Sequence, residues 1–140
     1  MTPKSSSANN GESVKLRGMV TSGLKESRFF TEIPWVKNQL IDKLGINPYP
    51  GTFNITVLAE DRDKLNMVRE SKGIEITPED ANFCTANSLP VLINGKIKGA
   101  TIIPLVSNYP DTQLEVISTE NIKQSLSLKD GDVVEVEVYL

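Results

Sequence analysis

Hydrophobic positions recur along this chain with two different periods, and the switches between them outline a fold. Val14, Leu16, Gly18 and Val20 alternate with Lys15, Arg17 and Met19, the pattern of a strand with one buried face. The same period returns at Phe53, Ile55 and Val57, and again at Val134, Val136, Val138 and Leu140. A short strand over Leu114–Ile117 sends Leu114 and Val116 inward and Glu115 outward. Leu89–Ile93 and Lys96–Ile103 flank Asn94-Gly95, the preferred type I′ pair, and predict a hairpin that Pro104 ends.

A helical period runs from Thr31 to Leu44. Pro34 suits the first turn, Trp35, Val36 and Leu40 lie on one stripe, and Gly45 is a natural stop. A second short helix is expected after Ser118-Thr119, which offer hydroxyl caps, through about Leu126; Leu128-Lys129-Asp130-Gly131-Asp132 then turns the chain. Glu60 to about Ala81 is charge-dense without a strong period. It reads as a surface excursion with solvated charges and a short helix near Asp63 to Glu70. Met1 to Ser13 is polar and reads as a flexible tail, leaving 14–140 as one domain. Several short strands, tight turns and two helices predict a mainly β fold, a small barrel or strongly curved sheet.

Composition narrows the chemistry. The chain has no histidine, which excludes a Ser-His-Asp triad, a histidine proton shuttle and a histidine-ligated metal. A single cysteine, Cys84, excludes an internal disulfide and a multi-cysteine zinc site; it reads as a small buried hydrophobe. The net charge of −3 and the lack of a basic patch argue against nucleic acid as a partner. No apolar run reaches the length of a membrane span and no signal peptide begins at Met1, so a cytoplasmic protein is the expectation; a monomer is expected, although the sequence is silent on oligomeric state.

Two stretches carry candidate chemistry. Thr52 and Asn54 follow the Pro50-Gly51 turn and share one strand face, setting a hydroxyl and an amide oxygen side by side. That pair suits either a hard cation or a plain polar outer face. Thr21 to Phe30 contains small and charged residues, with Arg28 offering a planar fork, and reads either as a phosphate-facing loop or as a surface connection.

Taken together, Val20-Thr21-Ser22-Gly23, Arg28-Phe29-Phe30, Pro50-Gly51-Thr52-Phe53-Asn54, Gly99-Ala100-Thr101-Ile102-Ile103-Pro104, Leu114-Glu115-Val116-Ile117 and Leu128-Lys129-Asp130-Gly131-Asp132 resemble the archaeal-type CTP-dependent riboflavin kinase family, from about Val14 to Tyr139. The resemblance implies a six-stranded cradle-loop β-barrel that transfers the terminal phosphoryl group of CTP to riboflavin, giving FMN and CDP. It implies Mg²⁺ on Thr52 and Asn54. It sets the nucleotide against Leu24, Lys25, Glu26, Ser27, Arg28 and Phe29, and against Glu120, Asn121, Ile122 and Lys123. The flavin falls to Ser107 and Glu115, and Glu115 and Arg28 become the candidate catalytic residues.

Phosphoryl transfer suits a chain without histidine, because positioning and charge stabilisation do most of the work. One departure stands out: Lys25 and Ser27 occupy positions where the family commonly has glycine, which allows backbone angles they do not adopt freely. There is no P-loop, since Gly95-Lys96 is followed by Ile97 inside a hairpin, and no room for the helix-turn-helix domain that some relatives carry. The altered loop keeps open a non-catalytic nucleotide- or flavin-binding barrel module. A DNA-binding barrel is disfavoured by the acidic charge.

Overall fold

The computed structural model describes residues 12–22 and 30–140. Six strands close into an antiparallel barrel: β1 (Ser13–Thr21), β2 (Phe53–Val57), β5 (Pro90–Ile93), β6 (Ile97–Thr101), β8 (Gln113–Ile117) and β9 (Val133–Tyr139). Their order around the barrel is β1-β2-β8-β6-β5-β9. The expected barrel is therefore present. Period-two residues fill it: Leu16, Val20, Ile55, Leu114, Val116 and Val136 are all buried in one core. Two glycines let the walls approach. A Cβ on Gly18 would meet Ile55 Cδ1 at 2.7 Å, and one on Gly99 would meet the Ile117 carbonyl oxygen at 2.4 Å, at the β6–β8 seam that closes the barrel.

A second sheet orders β3 (Ile74–Ile76), β4 (Ala86–Ser88) and β7 (Ile103–Pro104) as β3-β4-β7. The predicted strand Lys96–Ile103 is thus two strands. It breaks at Ile102, whose N–H bonds to the Glu115 carbonyl, and Ile103 leaves the barrel to pair with Asn87. Helix α1 (Pro34–Leu44) lays Val36 and Leu40 over Ile76, Ala86, Ile102 and Ile117, forming a smaller core outside the barrel. Its Gly45 stop holds φ at 70° and bonds back to Ile41, as the sequence pattern predicted. The Asn94-Gly95 turn carries positive φ at both residues, as type I′ geometry demands.

Three expectations need correcting. The short helix expected near Asp63 to Glu70 is present and Glu60, Asp63, Lys64 and Glu70 are exposed, but the segment is more than a surface excursion: a 3₁₀ turn (Ala59–Asp61) leads into α2 (Arg62–Glu70), which drives Leu65 and Val68 fully into the barrel core. These two, three apart on a short helix whose third apolar residue, Met67, is exposed, were too few to show a period. The last helix, α3 (Ile122–Ser125), begins later than Ser118-Thr119 suggested. Asn121 caps it, its Oδ1 accepting from Gln124 N at 3.1 Å, whereas Ser118 Oγ donates to the Lys98 carbonyl. Cys84, read as a small buried hydrophobe, is only half-buried, in the irregular stretch before β4 and outside both cores.

Asp61 ties the start of α2 to the barrel. Its buried carboxylate accepts from Arg17 N at 2.8 Å and Arg17 Nε at 3.3 Å, with Lys64 Nζ at 3.8 Å. The Arg17 backbone bond and the nearby positive charges outweigh desolvation and hold the Asp61 pKa below its ordinary 3.8. A lowered native pKa contributes stability that is complete above the unfolded value and lost as pH falls through the native one. Asp61→Asn should therefore cost about 2 kcal/mol near neutral pH. In urea unfolding, the difference from the parent protein should shrink steadily below pH 4.

Candidate functional site

Register sets the site. β2 lies between β1 and β8, so Asn54 stands opposite Thr21 on one side and Glu115 on the other. All three project from the outer face, because Phe53 and Ile55 beside Asn54, Leu114 and Val116 beside Glu115, and Val20 before Thr21 belong to the core. Thr52 precedes β2 at the Pro50-Gly51 turn, where Gly51 has φ 96° and its N–H donates to Thr31 Oγ1 at 2.8 Å.

These residues form a directed hydrogen-bond chain. Gln113 Nε2 donates to Asn54 Oδ1 at 2.8 Å. Asn54 Nδ2 donates to the Thr52 carbonyl and Oγ1, both at 3.1 Å. Thr52 Oγ1 donates to Glu115 Oε1 at 2.9 Å, and Tyr109 OH donates to Glu115 Oε2 at 2.7 Å. Every donor points toward Glu115, an arrangement suited to an ionised carboxylate, which only accepts. Each carboxylate oxygen keeps a second lone pair for a substrate. Burial first, and then the Glu115 charge, push the Tyr109 hydroxyl well above its ordinary range, so it remains a donor at any working pH.

The sequence pattern correctly set Thr52 beside Asn54 on a polar face. Asn54 is nevertheless buried, under the partners that the turn and β8 bring to it, so a plain solvated outer face is not what forms. Tyr109 and Gln113 are the residues sequence reasoning missed. Gln113 was accessible as the residue two before Glu115 on the same strand face, whereas Tyr109 gave only the signal of an aromatic ring in a polar turn. Ser107 lies exposed in that same turn, two residues from Tyr109.

A second cluster begins one residue beyond Thr21. Ser22 Oγ donates to Asp130 Oδ2 at 2.5 Å and Lys123 Nζ to Asp130 Oδ1 at 2.8 Å, and both bonds hold the Asp130 carboxyl below its usual range. The turn itself is stitched to β1 by Val20 N to the Asp132 carbonyl and Gly131 N to the Val20 carbonyl, both 2.8 Å. Glu120, Asn121, Ile122 and Lys123 are thereby fastened to the end of β1. Ile122 is buried in the barrel core and Asn121 is engaged as the helix cap, which leaves Glu120 and Lys123 as the outward groups. Leu24, Lys25, Glu26, Ser27, Arg28 and Phe29 lie outside the described residues. The chain they occupy leaves from Ser22, beside Asp130, and rejoins at Phe30 and Thr31, beside Gly51. Elsewhere, an apolar groove of about 570 Å³ between the end of α1 and the outer faces of β5 and β6 shares no residue with either cluster.

A family model for CTP-dependent riboflavin kinases, described as Domain of unknown function DUF120, matches residues 20–138. The chain belongs to this family. Among its relatives, the riboflavin kinase of Archaeoglobus fulgidus is 40% identical over 130 residues, covering 91% of this chain and 55% of that protein. The riboflavin kinase of Sulfurisphaera tokodaii is 38% identical over 132 residues, 89% of this chain and 95% of that protein. That of Saccharolobus solfataricus is 31% identical over 132 residues, 91% and 75% of the two chains. The chain thus spans about half the length of the first of these kinases and nearly all of the second. For this family member, both hydrogen-bonded clusters fall inside the matched residues.

Asn54→Asp tests how tightly the cluster is built. It sets a second carboxylate directly across the ladder from Glu115 and removes the donor to Thr52. A loss of about 1–2 kcal/mol is expected in metal-free urea unfolding, since like charges directly opposite repel and the amide donor is lost.

Proposed function

We propose that this protein transfers the terminal phosphoryl group of CTP to a ribityl hydroxyl of riboflavin, giving FMN and CDP, with Mg²⁺. The observation that carries the reading is the donor chain converging on Glu115. It presents a carboxylate with free lone pairs at the strand level of Asn54 and Thr21, one residue from the cluster at Ser22, Asp130 and Lys123. The family membership and the shared name of the relatives support riboflavin as acceptor, and the family name supports CTP as donor.

The residues fit Mg²⁺ as part of a shared shell. Thr52 Oγ1, Asn54 Oδ1 and Glu115 are hard oxygen donors, and no group of three or more carboxylate or thiol side chains suited to a metal occurs among the described residues. Most of the ligand oxygens would then come from nucleotide phosphates and water. The Asn54 amide now turns its nitrogen toward Thr52, so joint ligation by the pair needs that amide reversed, with Gln113 reversed to match. Bound there, the ion would neutralise charge on the phosphates.

The chain's own residues have separate tasks. Glu115 accepts the hydrogen of the ribityl hydroxyl and orients its oxygen toward the γ-phosphorus; the new O–P bond forms as the bond to the β-phosphate oxygen breaks, and the proton leaves through the carboxylate. Lys123 and Arg28 supply positive charge for the phosphates, with Leu24–Phe29 and Glu120 completing the nucleotide contacts. Ser107 contacts the flavin. The reading takes 14–140 as the kinase domain, acting as a cytoplasmic monomer behind a polar tail.

An assay with riboflavin, Mg²⁺ and either CTP or ATP, following FMN by chromatography, tests this directly. FMN should form with CTP and be lost in Thr52→Ala and Asn54→Ala. Glu115→Gln should lower kcat by about 100-fold or more while CTP affinity holds, the scale of a lost general base. Absence of FMN with every nucleotide, with the protein folded and still binding CTP or riboflavin, selects the non-catalytic binding module that Lys25 and Ser27 leave open.

A further inference from the structure

We infer that Tyr109 and Arg69 are positioning residues that fix the Glu115 carboxylate, so that the outer turn and helix α2 are part of the working site. The inference rests on the riboflavin kinase reading for its catalytic consequence, and on contacts alone for its geometry.

Glu115 is held from both sides. Thr52 grips Oε1 from the turn that leads into β2, and Tyr109 grips Oε2 from the turn between β7 and β8. With two donors on different oxygens, the plane of the carboxylate is set, and with it the direction of the free lone pairs. Removing either donor frees rotation about the last side-chain bond. The Thr52 hydroxyl also accepts from Asn54 and would be one of the residues holding the ion, so its bond to Glu115 would compete with ligation. Tyr109 has no such second duty.

The turn that carries Tyr109 is exposed and needs an anchor. Arg69 provides it. Its guanidinium lies 5.6 Å from the centre of the Tyr109 ring, and Nη1 donates to the Pro110 carbonyl at 3.2 Å. One side chain therefore holds both the ring and the backbone next to it. Arg69 sits in the last turn of α2, adjacent to Val68, which with Leu65 is fully buried in the barrel core. A rigid helix thus reaches the reacting carboxylate through two contacts. This gives α2 a task that its polar sequence did not suggest.

Tyr109→Phe removes the hydroxyl and keeps the ring beneath Arg69. It should lower kcat about tenfold, the scale of one hydrogen bond to a charged group, with KM for CTP unchanged. A purely structural role predicts the same loss in any background. The positioning role predicts that Tyr109→Phe adds little, less than about twofold, once Glu115→Gln is present. Arg69→Ala should lower kcat by about threefold, and Arg69→Lys should recover little of it, because the planar fork is what spans ring and carbonyl.

The Glu115 side-chain carboxyl carbon, observed by NMR, reads the geometry without any turnover. Its resonance should move in Tyr109→Phe and in Arg69→Ala. It should stay in Tyr139→Phe, whose hydroxyl lies at the opposite end of β1 and β9. Parent-like kcat in Tyr109→Phe, a full tenfold loss persisting beside Glu115→Gln, or an unmoved carboxyl resonance would each overturn the inference. If the parent protein makes no FMN, the kinase reading falls, and the resonance alone decides whether Tyr109 and Arg69 hold the carboxylate.

Discussion

The register of β2 between β1 and β8 is the constraint on which the site depends. Antiparallel pairing sets Thr21, Asn54 and Glu115 at one level on the outer face, from segments far apart in sequence. A slip of β2 by one residue would turn Asn54 into the barrel, away from Glu115, and expose Ile55. The hydrophobic cost of that exchange is what holds the polar cluster in place. Core packing and site geometry are therefore one requirement, enforced on alternate residues of the same strands.

The glycines and buried charges serve the same closure. Gly18 and Gly99 admit neighbours that a side chain would push away, at the β1–β2 pair and at the β6–β8 seam. Asp61 spends desolvation energy to accept the Arg17 backbone N–H, fixing where the chain leaves the barrel for α2. The helix end then meets the turn after β7. Around the rim, the two polar clusters flank the end of β1, from which residues 23–29 depart. No helix of the described residues is long and apolar enough to cross a membrane.

The legible part of the fold was the part governed by local periods. Strands β1, β2, β8 and β9, helix α1 with its Gly45 stop, and the Asn94-Gly95 turn all followed from alternation, capping and turn chemistry within a few residues. The misread parts depended on distant partners. The helix near Asp63 to Glu70 was foreseen, but not that Leu65 and Val68 enter the core, since their burial requires a barrel to enter. The break at Ile102 was invisible because Ile102 and Ile103 suit a strand equally well in either sheet. Thr119 and Ser118 were plausible caps until Ser118 found the Lys98 carbonyl.

By itself the sequence determined a barrel-forming alternation, the side-by-side hydroxyl and amide at Thr52 and Asn54, an outward Glu115, and the exclusion of histidine chemistry. These depend on residue type and on spacing within one element, which the chain carries locally. Only the tertiary structure decided that Asn54 is buried, that the hydrogen bonds run one way into Glu115, and that Tyr109 closes the far side of the carboxylate. It also decided that Ser22, Asp130 and Lys123 meet. The contacts of Thr52 with Glu115, Gln113 with Asn54 and Ser22 with Asp130 join segments far apart in the chain, and even the nearer pairs Tyr109–Glu115 and Lys123–Asp130 are oriented by the turns around them; no local pattern encodes a hydrogen bond whose partner is chosen by barrel closure.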